Sequence, residues 1–334
     1  MSACFYMTVG LPGCGKSTWT HSMGINVHSS DAMRIKLNTP PGDTSVFPLL
    51  TKDVRDDLKK GVSCIMDATN LSRKKRMAFL NEIKSCDCRR ICVVFLVPVS
   101  VCRARNSKRT GFARVIEDVY DHMLRSYQLP SIYEGFDEIM YLSYGDKFDF
   151  TDEYPAGVAG LDPTALMDFD QCSIYHDHTL GEHLLYVADN IKSICDENGI
   201  DEKRTEMLYK TALHHDIGKA YTKDFHNGKG EPTENAHYYG HENYGTYIYL
   251  MKCLSEFNDR FPTVEQPRRD FCPEDPRCAG DFYIARLINW HMVPGNSWEK
   301  SAASEEKDRK LLSVEFPQLF DDIKLLHRAD RMGH

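Results

Sequence analysis

One short stretch near the start of the chain has the residue types and spacing of a phosphate-binding loop. The sequence Gly10-Leu-Pro-Gly-Cys-Gly-Lys16-Ser17 fits the pattern G-x-x-x-x-G-K-[ST]. Its glycines let successive backbone N–H groups converge on phosphate oxygens, Lys16 can bridge the β- and γ-phosphates, and Ser17 can ligate Mg²⁺. The pattern therefore predicts that ATP or another NTP binds to Gly13, Gly15, Lys16, Ser17 and Thr18.

A carboxylate and a guanidinium three residues apart could bind and activate the molecule that accepts the phosphate. Asp31 and Arg34 follow a β-like stretch, and they share one face if a helix begins there. Asp31 could take the proton of an attacking hydroxyl while Arg34 holds a neighbouring anion. The alternative is structural, with Asp31 capping the helix and Arg34 as its surface partner.

Histidines and aspartates recur along the second half of the chain, near the ends of helical stretches. They are His183, the adjacent pair His215-Asp216, His241, His291 and Asp330. Imidazoles and carboxylates suit divalent metals such as Mn²⁺, Fe²⁺, Co²⁺, Ni²⁺ or Zn²⁺, and the helices of a bundle can bring such groups into one core. Any one of these residues is more often structural, but the ordered set favours a metal site.

The elements that must position these residues differ between the two halves. Short apolar strands with helical patterns between them predict a parallel α/β sheet, and they lie at residues 5–9, 63–67 and 90–97. Later patterns are helical, at residues 181–197, 205–217, 240–254, 281–291 and 317–328. We predict an α/β domain with flanking helices at 1–150, a linker at 151–170 and an all-α domain at 171–334.

Composition limits the class of protein. The 334 residues suffice for two domains, and 42% hydrophobic content supplies a core, which excludes wholesale disorder. The net charge of −8 divides into +5 for residues 1–150 and −13 for residues 151–334, so the first half could favour a polyanion. The twelve cysteines form no C-x-x-C pair, and neither a signal peptide nor an 18-residue apolar run occurs. We expect a cytoplasmic protein with reduced thiols and no membrane contact.

Four sequence blocks resemble the phage polynucleotide kinase family and follow that family's order. They are Gly-Leu-Pro-Gly-Cys-Gly-Lys-Ser-Thr-Trp at 10–19, Ser-Asp-x-x-Arg at 30–34, Asp-Ala-Thr-Asn-Leu at 67–71 with Arg-Lys-Lys-Arg at 73–76, and Arg-Asn-Ser-Lys-Arg at 105–109. The resemblance covers about residues 1–145. It implies a P-loop kinase that uses ATP and Mg²⁺ to phosphorylate 5′-hydroxyl ends.

This resemblance also implies roles for individual residues. Asp31 would be the general base, and Arg34 would hold the acceptor phosphate. Arg109, with Arg105, would stabilise the transferring phosphoryl group. Asp67, at the end of a predicted strand, would support the metal or the acceptor.

The basic block at residues 73–76 has two interpretations. Its four side chains could grip backbone phosphates, or they could form a solvated helix face.

The spacing of the histidines and aspartates is similar to that of the HD-domain metal-dependent phosphohydrolase superfamily, over about residues 170–334. The resemblance implies a first metal held by His183, His215, Asp216 and Asp330. It implies a second metal held by Asp216, His241 and His291, with Lys219 contacting the phosphate. Such a two-metal site hydrolyses phosphate esters.

Other residues of this half are interpreted as structural or solvated. Asp168-Phe-Asp170 lacks the preceding strand and the following Thr or Val of an aspartyl phosphatase, so we interpret it as a loop. The group Tyr175-His-Asp-His178 is a candidate on the substrate side. The histidines interpreted as structural are His176, His178, His214, His226, His237 and His327.

Together the two sites predict an enzyme that heals nucleic-acid ends during RNA repair. It would phosphorylate 5′-hydroxyl ends and remove 3′-phosphates or 2′,3′-cyclic phosphates, acting on RNA or DNA ends upstream of a ligase. Bacterial RNA-repair proteins combine similar domains with the HD domain first, whereas this chain has the reverse order. The alternatives are a nucleoside kinase fused to a nucleotidase, or a module that senses nucleotide or metal.

Overall fold

The computed structural model describes residues 2–40, 43–111, 114–174 and 177–333. The chain divides into two units, one formed by Met1–Met123, Gln128–Lys147 and Phe257–Cys272, the other by Leu124–Tyr127, Phe148–Glu256 and Pro273–His334. The segment Phe257–Cys272 therefore belongs with residues that lie far before it in the chain, and no sequence pattern indicated this. The predicted limits at residues 150 and 170 stay predictions.

The first unit contains a five-stranded sheet with strand order β2-β3-β1-β4-β5, in which every pair is parallel. The strands are β1 (Ala3–Val9), β2 (Asn26–Ser29), β3 (Cys64–Asp67), β4 (Cys88–Leu96) and β5 (Glu138–Ser143). The helices are α1 (Lys16–Ser22), α2 (Ser30–Leu37), α3 (Val46–Lys59), α4 (Arg73–Glu82), α5 (Val99–Ser107) and α6 (Glu117–Arg125). The central strands β1, β3 and β4 are largely buried, as strands with helices on both faces should be. The predicted parallel α/β fold is confirmed.

The second unit is mainly helical, as predicted. The helices of this part of the chain are α7 (Leu180–Glu197), α8 (Glu202–His214), α9 (Lys219–Thr222), α10 (His241–Arg260), α11 (Ala279–Trp290), α12 (Val293–Asn296), α13 (Ala302–Glu315) and α14 (Leu319–Met332). The last four residues of α10 belong to the first unit. Helix α13 was not predicted, because Leu312 is its one fully buried side chain and its sequence shows little apolar periodicity.

The prediction of a purely α-helical second domain needs a correction, because this unit contains an antiparallel hairpin. Strands β6 (Asp224–His226) and β7 (Pro232–His237) are joined by a turn in which the Asn227 side chain accepts hydrogen bonds from the backbone of Lys229 and Glu231, at 2.9 and 3.0 Å. The strands are short and polar, so they lack the apolar alternation by which strands are recognised.

The basic block at residues 73–76 is not a uniform phosphate-binding face, because Arg76 is buried. Its guanidinium forms a bidentate ion pair with Glu134, at 2.6 and 2.7 Å, and neither side chain is exposed. It also donates to the carbonyl oxygens of Asn70 and Leu71, at 3.0 and 2.8 Å. Arg76 therefore fixes the loop after β3, and within the block only Lys74 and Lys75 are exposed.

Replacing Arg76 by alanine should lower the free energy of unfolding by about 3–5 kcal/mol, because the carboxylate of Glu134 would stay buried without its partner. The neighbouring exposed Lys75→Ala variant should change this energy by less than about 0.5 kcal/mol. Urea-induced unfolding of both variants measures the difference. Equal midpoints for the two variants would contradict the structural role of Arg76.

In the part of the chain that the structure describes, no helix combines the length and the apolar character needed to cross a bilayer. All twelve cysteines are free, and most are buried.

Candidate functional site

The phosphate-binding loop lies between the end of β1 and the start of α1, as its sequence pattern predicts. Gly13 and Gly15 adopt positive φ angles of 85° and 101°, which other residues rarely adopt. A Cβ atom on Gly13 would also come within 2.5 Å of the carbonyl oxygen of Cys102. Glycine is thus required at this position both by conformation and by the close approach of α5.

Lys16 and Ser17 begin α1 and take partners that a nucleotide could replace or share. The ammonium group of Lys16 is buried and donates to the carbonyl oxygens of Gly10 and Leu11, at 3.0 and 2.8 Å. The hydroxyl of Ser17 donates to the carboxylate of Asp67 at 2.9 Å, at the end of β3. A hydroxyl beside a carboxylate matches the oxygen ligands that Mg²⁺ prefers in phosphoryl-transfer sites.

A cavity of about 510 Å³ adjoins the loop and includes Gly13, Thr18, Arg105 and Arg109 in its lining. The guanidinium of Arg105 lies 5.7 Å from the ring centroid of Tyr144 and 3.4 Å from the carbonyl oxygen of Gly13. The two arginines predicted to stabilise the transferring phosphoryl group therefore line the same cavity as the loop.

Asp31 and Arg34 lie on the first turns of α2, at the carboxyl-terminal edge of the sheet. Ser29 is in register with Asp67 on the neighbouring strand, so α2 starts beside the Ser17–Asp67 pair. Arg34 is 14% exposed and forms a 2.9 Å ion pair with Asp31, whose side chain is 67% exposed. Because the Ser29 hydroxyl caps the helix by accepting from the backbone of Ala32, the Asp31 carboxylate is left open to a substrate.

The structure brings the six predicted metal ligands together in two groups that share Asp216. The first group contains His183, His215, Asp216 and Asp330, and the second contains Asp216, His241 and His291. One carboxylate oxygen of Asp216 lies 3.4 Å from His183 Nε2 and 3.5 Å from His215 Nε2. Its other oxygen lies 3.0 Å from His241 Nε2 and 3.3 Å from His291 Nε2. Asp216 thus has the arrangement of a carboxylate that bridges two metals.

The ends of helices and one tight turn determine where these predicted metal ligands lie. A capping box between Thr179 and Glu182 starts α7 at Leu180, three residues before His183. Helix α8 ends at His214, so the pair His215-Asp216 follows directly in the next turn. A Cβ atom on Gly218 would overlap the carbonyl oxygen of His241, so glycine is needed for this turn to approach the start of α10.

The four histidines all present Nε2 to the cluster because their Nδ1 atoms face backbone carbonyls. His215, His241 and His291 contact the carbonyl oxygens of Ala212, Tyr238 and Ile288, at 2.8, 2.8 and 2.7 Å. His183 contacts that of Gly333 at 3.2 Å. Since a carbonyl only accepts, Nδ1 must donate, so Nε2 is the ring nitrogen that each histidine can offer to a metal in place of a proton. The donor set therefore fits two divalent cations.

The charge of the cluster also favours a cation. Burial lowers the pKa of His183, but hydrogen bonds to Asp216 and Asp330 outweigh it and raise this pKa to about 9. The pKa values of Asp216 and Asp330 lie well below their usual range, since nearby cationic groups and hydrogen bonds outweigh burial. The carboxylates therefore stay ionised and attract positive charge.

Lys219, predicted to contact the phosphate, begins α9 and lies at the edge of this cluster. Its buried ammonium group lies 2.7 Å from Asp216 Oδ2 and donates to Gln171 Oε1 at 2.8 Å. Gln171 is itself buried and donates to the carbonyl oxygen of His178. Sequence reasoning missed Gln171, because a single glutamine after a polar loop carries no motif.

The histidines interpreted as structural take other partners where the structure describes them. His214 lies against the ring of Tyr249, and burial lowers its pKa to about 4. His178, His226, His237 and His327 contact Tyr186, Asp224, Tyr239 and Glu299, respectively. Tyr175 and His176 lie outside the described residues. Asp168 and Asp170 are exposed and join no metal-binding group of the described chain.

A third group, formed by His28, Asp57 and Cys64, has metal-ligand chemistry but is a poor metal site. His28 Nε2 and Asp57 Oδ2 already form a 2.9 Å contact. Burial raises the pKa of the Cys64 thiol to about 12, which disfavours the thiolate that would bind a metal.

Two family models match separate parts of the chain. The model described as an AAA domain matches residues 5–130, and the model described as an HD domain matches residues 180–260. A curated relative, "Transcription factor bHLH140" of Arabidopsis thaliana, is 29% identical over 140 residues, which are 40% of this chain and 15% of that protein. This chain thus spans only a small part of that relative.

Two solved kinase structures are similar to about two fifths of the chain. A sugar kinase from Janibacter sp. is 19% identical, with a TM-score of 0.34, over 42% of this chain and 85% of that one. A gluconokinase from Sinorhizobium meliloti is 15% identical, with a TM-score of 0.30, over 43% and 83%. Similarity at this level says nothing about substrate.

The P-loop geometry and the two family matches agree with the sequence patterns. The kinase domain implies ATP and Mg²⁺, and the HD domain implies divalent metals. The first part of the chain therefore has a parallel α/β fold with a P-loop and matches an AAA-domain model, and the second part contains a mainly helical region that matches an HD-domain model.

Proposed function

We propose that this chain heals nucleic-acid ends, with RNA as the expected substrate. The kinase domain transfers a phosphate from ATP to a 5′-hydroxyl, and the HD domain removes a 3′-phosphate or opens and removes a 2′,3′-cyclic phosphate. The observation that carries the proposal is the presence in one chain of a site suited to adding a phosphate and a bridged metal-ligand cluster suited to removing one. The products would be ends that a ligase joins.

In the kinase domain, Asp31 and Arg34 lie at the carboxyl-terminal edge of the sheet, and their position there is suited to phosphoryl transfer to a hydroxyl. Strand β2 lies two positions from β1 in the sheet, so the end of β2, where α2 begins, is about 10 Å from the end of β1, where the phosphate-binding loop begins. That distance leaves room for a γ-phosphate and an attacking hydroxyl between them. Asp31 accepts the hydroxyl proton as the oxygen bonds to the γ-phosphorus, and the bond from that phosphorus to the β–γ bridging oxygen breaks to release ADP.

Cationic side chains surround this reaction. Lys16, Arg105 and Arg109 balance charge on the transferring phosphoryl group. Arg34 lies 2.9 Å from Asp31 and binds the phosphate next to the acceptor hydroxyl. Ser17 and Asp67, whose side chains are in contact, would hold the Mg²⁺ ion that accompanies ATP.

In the HD domain, the shared carboxylate of Asp216 would bridge the two metals, and the four histidines and Asp330 would complete their ligands. Divalent metals bound there would supply the Lewis acidity that hydrolysis of a phosphate ester requires. Lys219, 2.7 Å from Asp216, would donate to a phosphate oxygen at the edge of the cluster.

An oligoribonucleotide with a 5′-hydroxyl and a 3′-phosphate tests both activities of the full chain. With γ-labelled ATP, Mg²⁺ and Mn²⁺, we expect label at the 5′ end and release of the 3′-phosphate. The same oligonucleotide with a 5′-phosphate is the control and should stay unlabelled. Efficient labelling of free nucleosides without labelling of the oligonucleotide would instead indicate a small-molecule kinase, and tight metal binding without turnover would indicate a sensor.

A further inference from the structure

The cavity next to the phosphate-binding loop has a wall from a distant part of the chain. Gln266 and Pro267 line it together with Tyr144, Thr18 and Arg105. Both belong to the segment Phe257–Cys272, which joins the kinase unit although it follows β5 by more than 100 residues. The cavity continues from Gly13 and Ser17 of the loop, so a nucleotide with its phosphates there would extend its base toward this wall.

The distant segment is attached to the end of β5 by backbone pairing. Ser143, the last residue of β5, donates to the carbonyl oxygen of Arg268 at 3.0 Å, and Arg268 donates back to that of Ser143 at 2.9 Å. Pro267, one residue earlier, is therefore held beside the loop that leaves β5.

Side chains of the segment fix that loop as well. The amide of Gln266 accepts from the backbone of Gly145 at 3.2 Å and donates to the Asp146 carboxylate at 2.8 Å. The amide of Asn258 donates to the carbonyl oxygens of Tyr144 and Asp146, at 2.9 and 3.0 Å. Four hydrogen bonds from the segment thus hold residues 144–146.

The segment is itself anchored by the buried side chain of Arg268. Its guanidinium lies 4.5 Å from the ring centroid of Phe257 and donates to the carboxylate of Asp270 at 2.9 and 3.1 Å. It also donates to the side-chain oxygen of Asn258 and to the carbonyl oxygen of Phe261. These contacts hold the segment Phe257–Cys272 in a defined conformation.

We propose that the segment Phe257–Cys272 completes the base-binding part of the kinase's nucleotide pocket, with Gln266 as a positioning residue for Tyr144. The groups that line the cavity at this wall offer flat faces, namely the Tyr144 ring and the Pro267 ring, which suit a heteroaromatic base. Gln266 acts through the loop, because both ends of its amide are occupied by Gly145 and Asp146. This inference rests on ATP binding by the kinase domain and not on the acceptor of the phosphate.

Affinities of the full chain for ATP and for inorganic tripolyphosphate separate base binding from phosphate binding. Gln266→Ala removes two hydrogen bonds to the loop and should weaken ATP binding about tenfold, with tripolyphosphate binding unchanged. Tyr144→Ala should show the same pattern. The matched control is Arg269→Ala, an exposed residue of the same segment whose contact is a 3.5 Å ion pair with Glu265. Its affinities for both ligands should equal those of the wild type.

Each other outcome of the titrations would overturn the inference. Unchanged ATP affinity in both Gln266→Ala and Tyr144→Ala would show that the wall does not hold the base. Equal losses for ATP and tripolyphosphate would show a general effect on the phosphate-binding loop. If the wild-type chain bound tripolyphosphate but not ATP, the inference that the cavity is a nucleotide pocket would be wrong. If it bound ATP but did not phosphorylate the oligonucleotide, only the proposed end-healing function would be contradicted.

Discussion

Replacing Asp216 by asparagine is expected to lower the rate of 3′-phosphate release by more than about 100-fold. This loss is larger than the usual effect of mutating a residue that contacts a metal ligand but not the metal itself. The two oxygens of Asp216 face different histidine pairs, one at 3.4 and 3.5 Å and the other at 3.0 and 3.3 Å. An amide offers one oxygen and an NH₂ group that only donates, so it cannot bridge two cations. The charge of the cluster also becomes less negative, which weakens its attraction for metal.

Three measurements separate loss of the metal site from loss of the fold. The metal content of the purified variant should fall together with its hydrolysis rate. Phosphorylation of 5′-hydroxyl ends should continue, because the kinase residues lie in a different unit. The apparent melting temperature measures any loss of fold stability. A decrease is expected, because the ammonium group of Lys219 would stay buried without its carboxylate partner.

Asp168→Asn is the matched control for Asp216→Asn. Asp168 is the exposed first carboxylate of the Asp-Phe-Asp stretch, which resembles an aspartyl phosphatase motif in sequence alone. The Asp168→Asn variant should hydrolyse at the wild-type rate. If Asp168→Asn abolished phosphate release while Asp216→Asn did not, the chemistry would belong to the loop and not to the histidine cluster.

The sequence was most informative where function depends on a short contiguous pattern. The phosphate-binding loop needs glycine at two positions of positive φ and a lysine at the start of the next helix, and both requirements are visible in eight residues. The parallel sheet was likewise predictable, because strands buried on both faces are continuous apolar runs. Strands β2 and β5 are less clear in sequence, because β2 is mostly polar and β5 has a polar residue at each end.

The histidine cluster was predictable in its membership but not in its geometry. The order of the ligands along the chain indicated which residues converge, whereas the two-sided placement of Asp216 depends on the turn at Gly218 and on its approach to α10. Gln171 had no signal, because its importance comes from one hydrogen bond to Lys219.

Long-range contacts explain the remaining differences. The burial of Arg76 depends on Glu134, which lies 58 residues later, so its local sequence resembles a solvated basic helix. Gln266 and Asn258 reach the loop after β5 across more than 100 residues. A pattern within a short window contains neither pair, and only the packed chain shows them.

Asp31→Asn should lower the rate of 5′-phosphorylation by about 100- to 10,000-fold, the usual contribution of a general base, with little change in ATP affinity. An asparagine keeps the size of the side chain and can still accept a hydrogen bond from Arg34, but it cannot take the proton of the hydroxyl. The carboxylate of Asp31 is 67% exposed, and Ser29, not Asp31, caps the helix. A purely structural role would therefore affect stability by no more than about 1 kcal/mol.

Asp56→Asn is the control for this variant. Asp56 is also an exposed helical carboxylate in a close ion pair, at 2.7 Å from Lys52 on α3. Both variants lose one surface charge and one ion pair, so a structural role for Asp31 predicts that they phosphorylate ends at the same rate. A role as base predicts normal activity for Asp56→Asn and a loss for Asp31→Asn that appears in kcat with an unchanged KM for ATP. Hydroxyl attack at this edge of the sheet needs a proton acceptor, and within the Asp31–Arg34 pair only the Asp31 carboxylate can accept that proton.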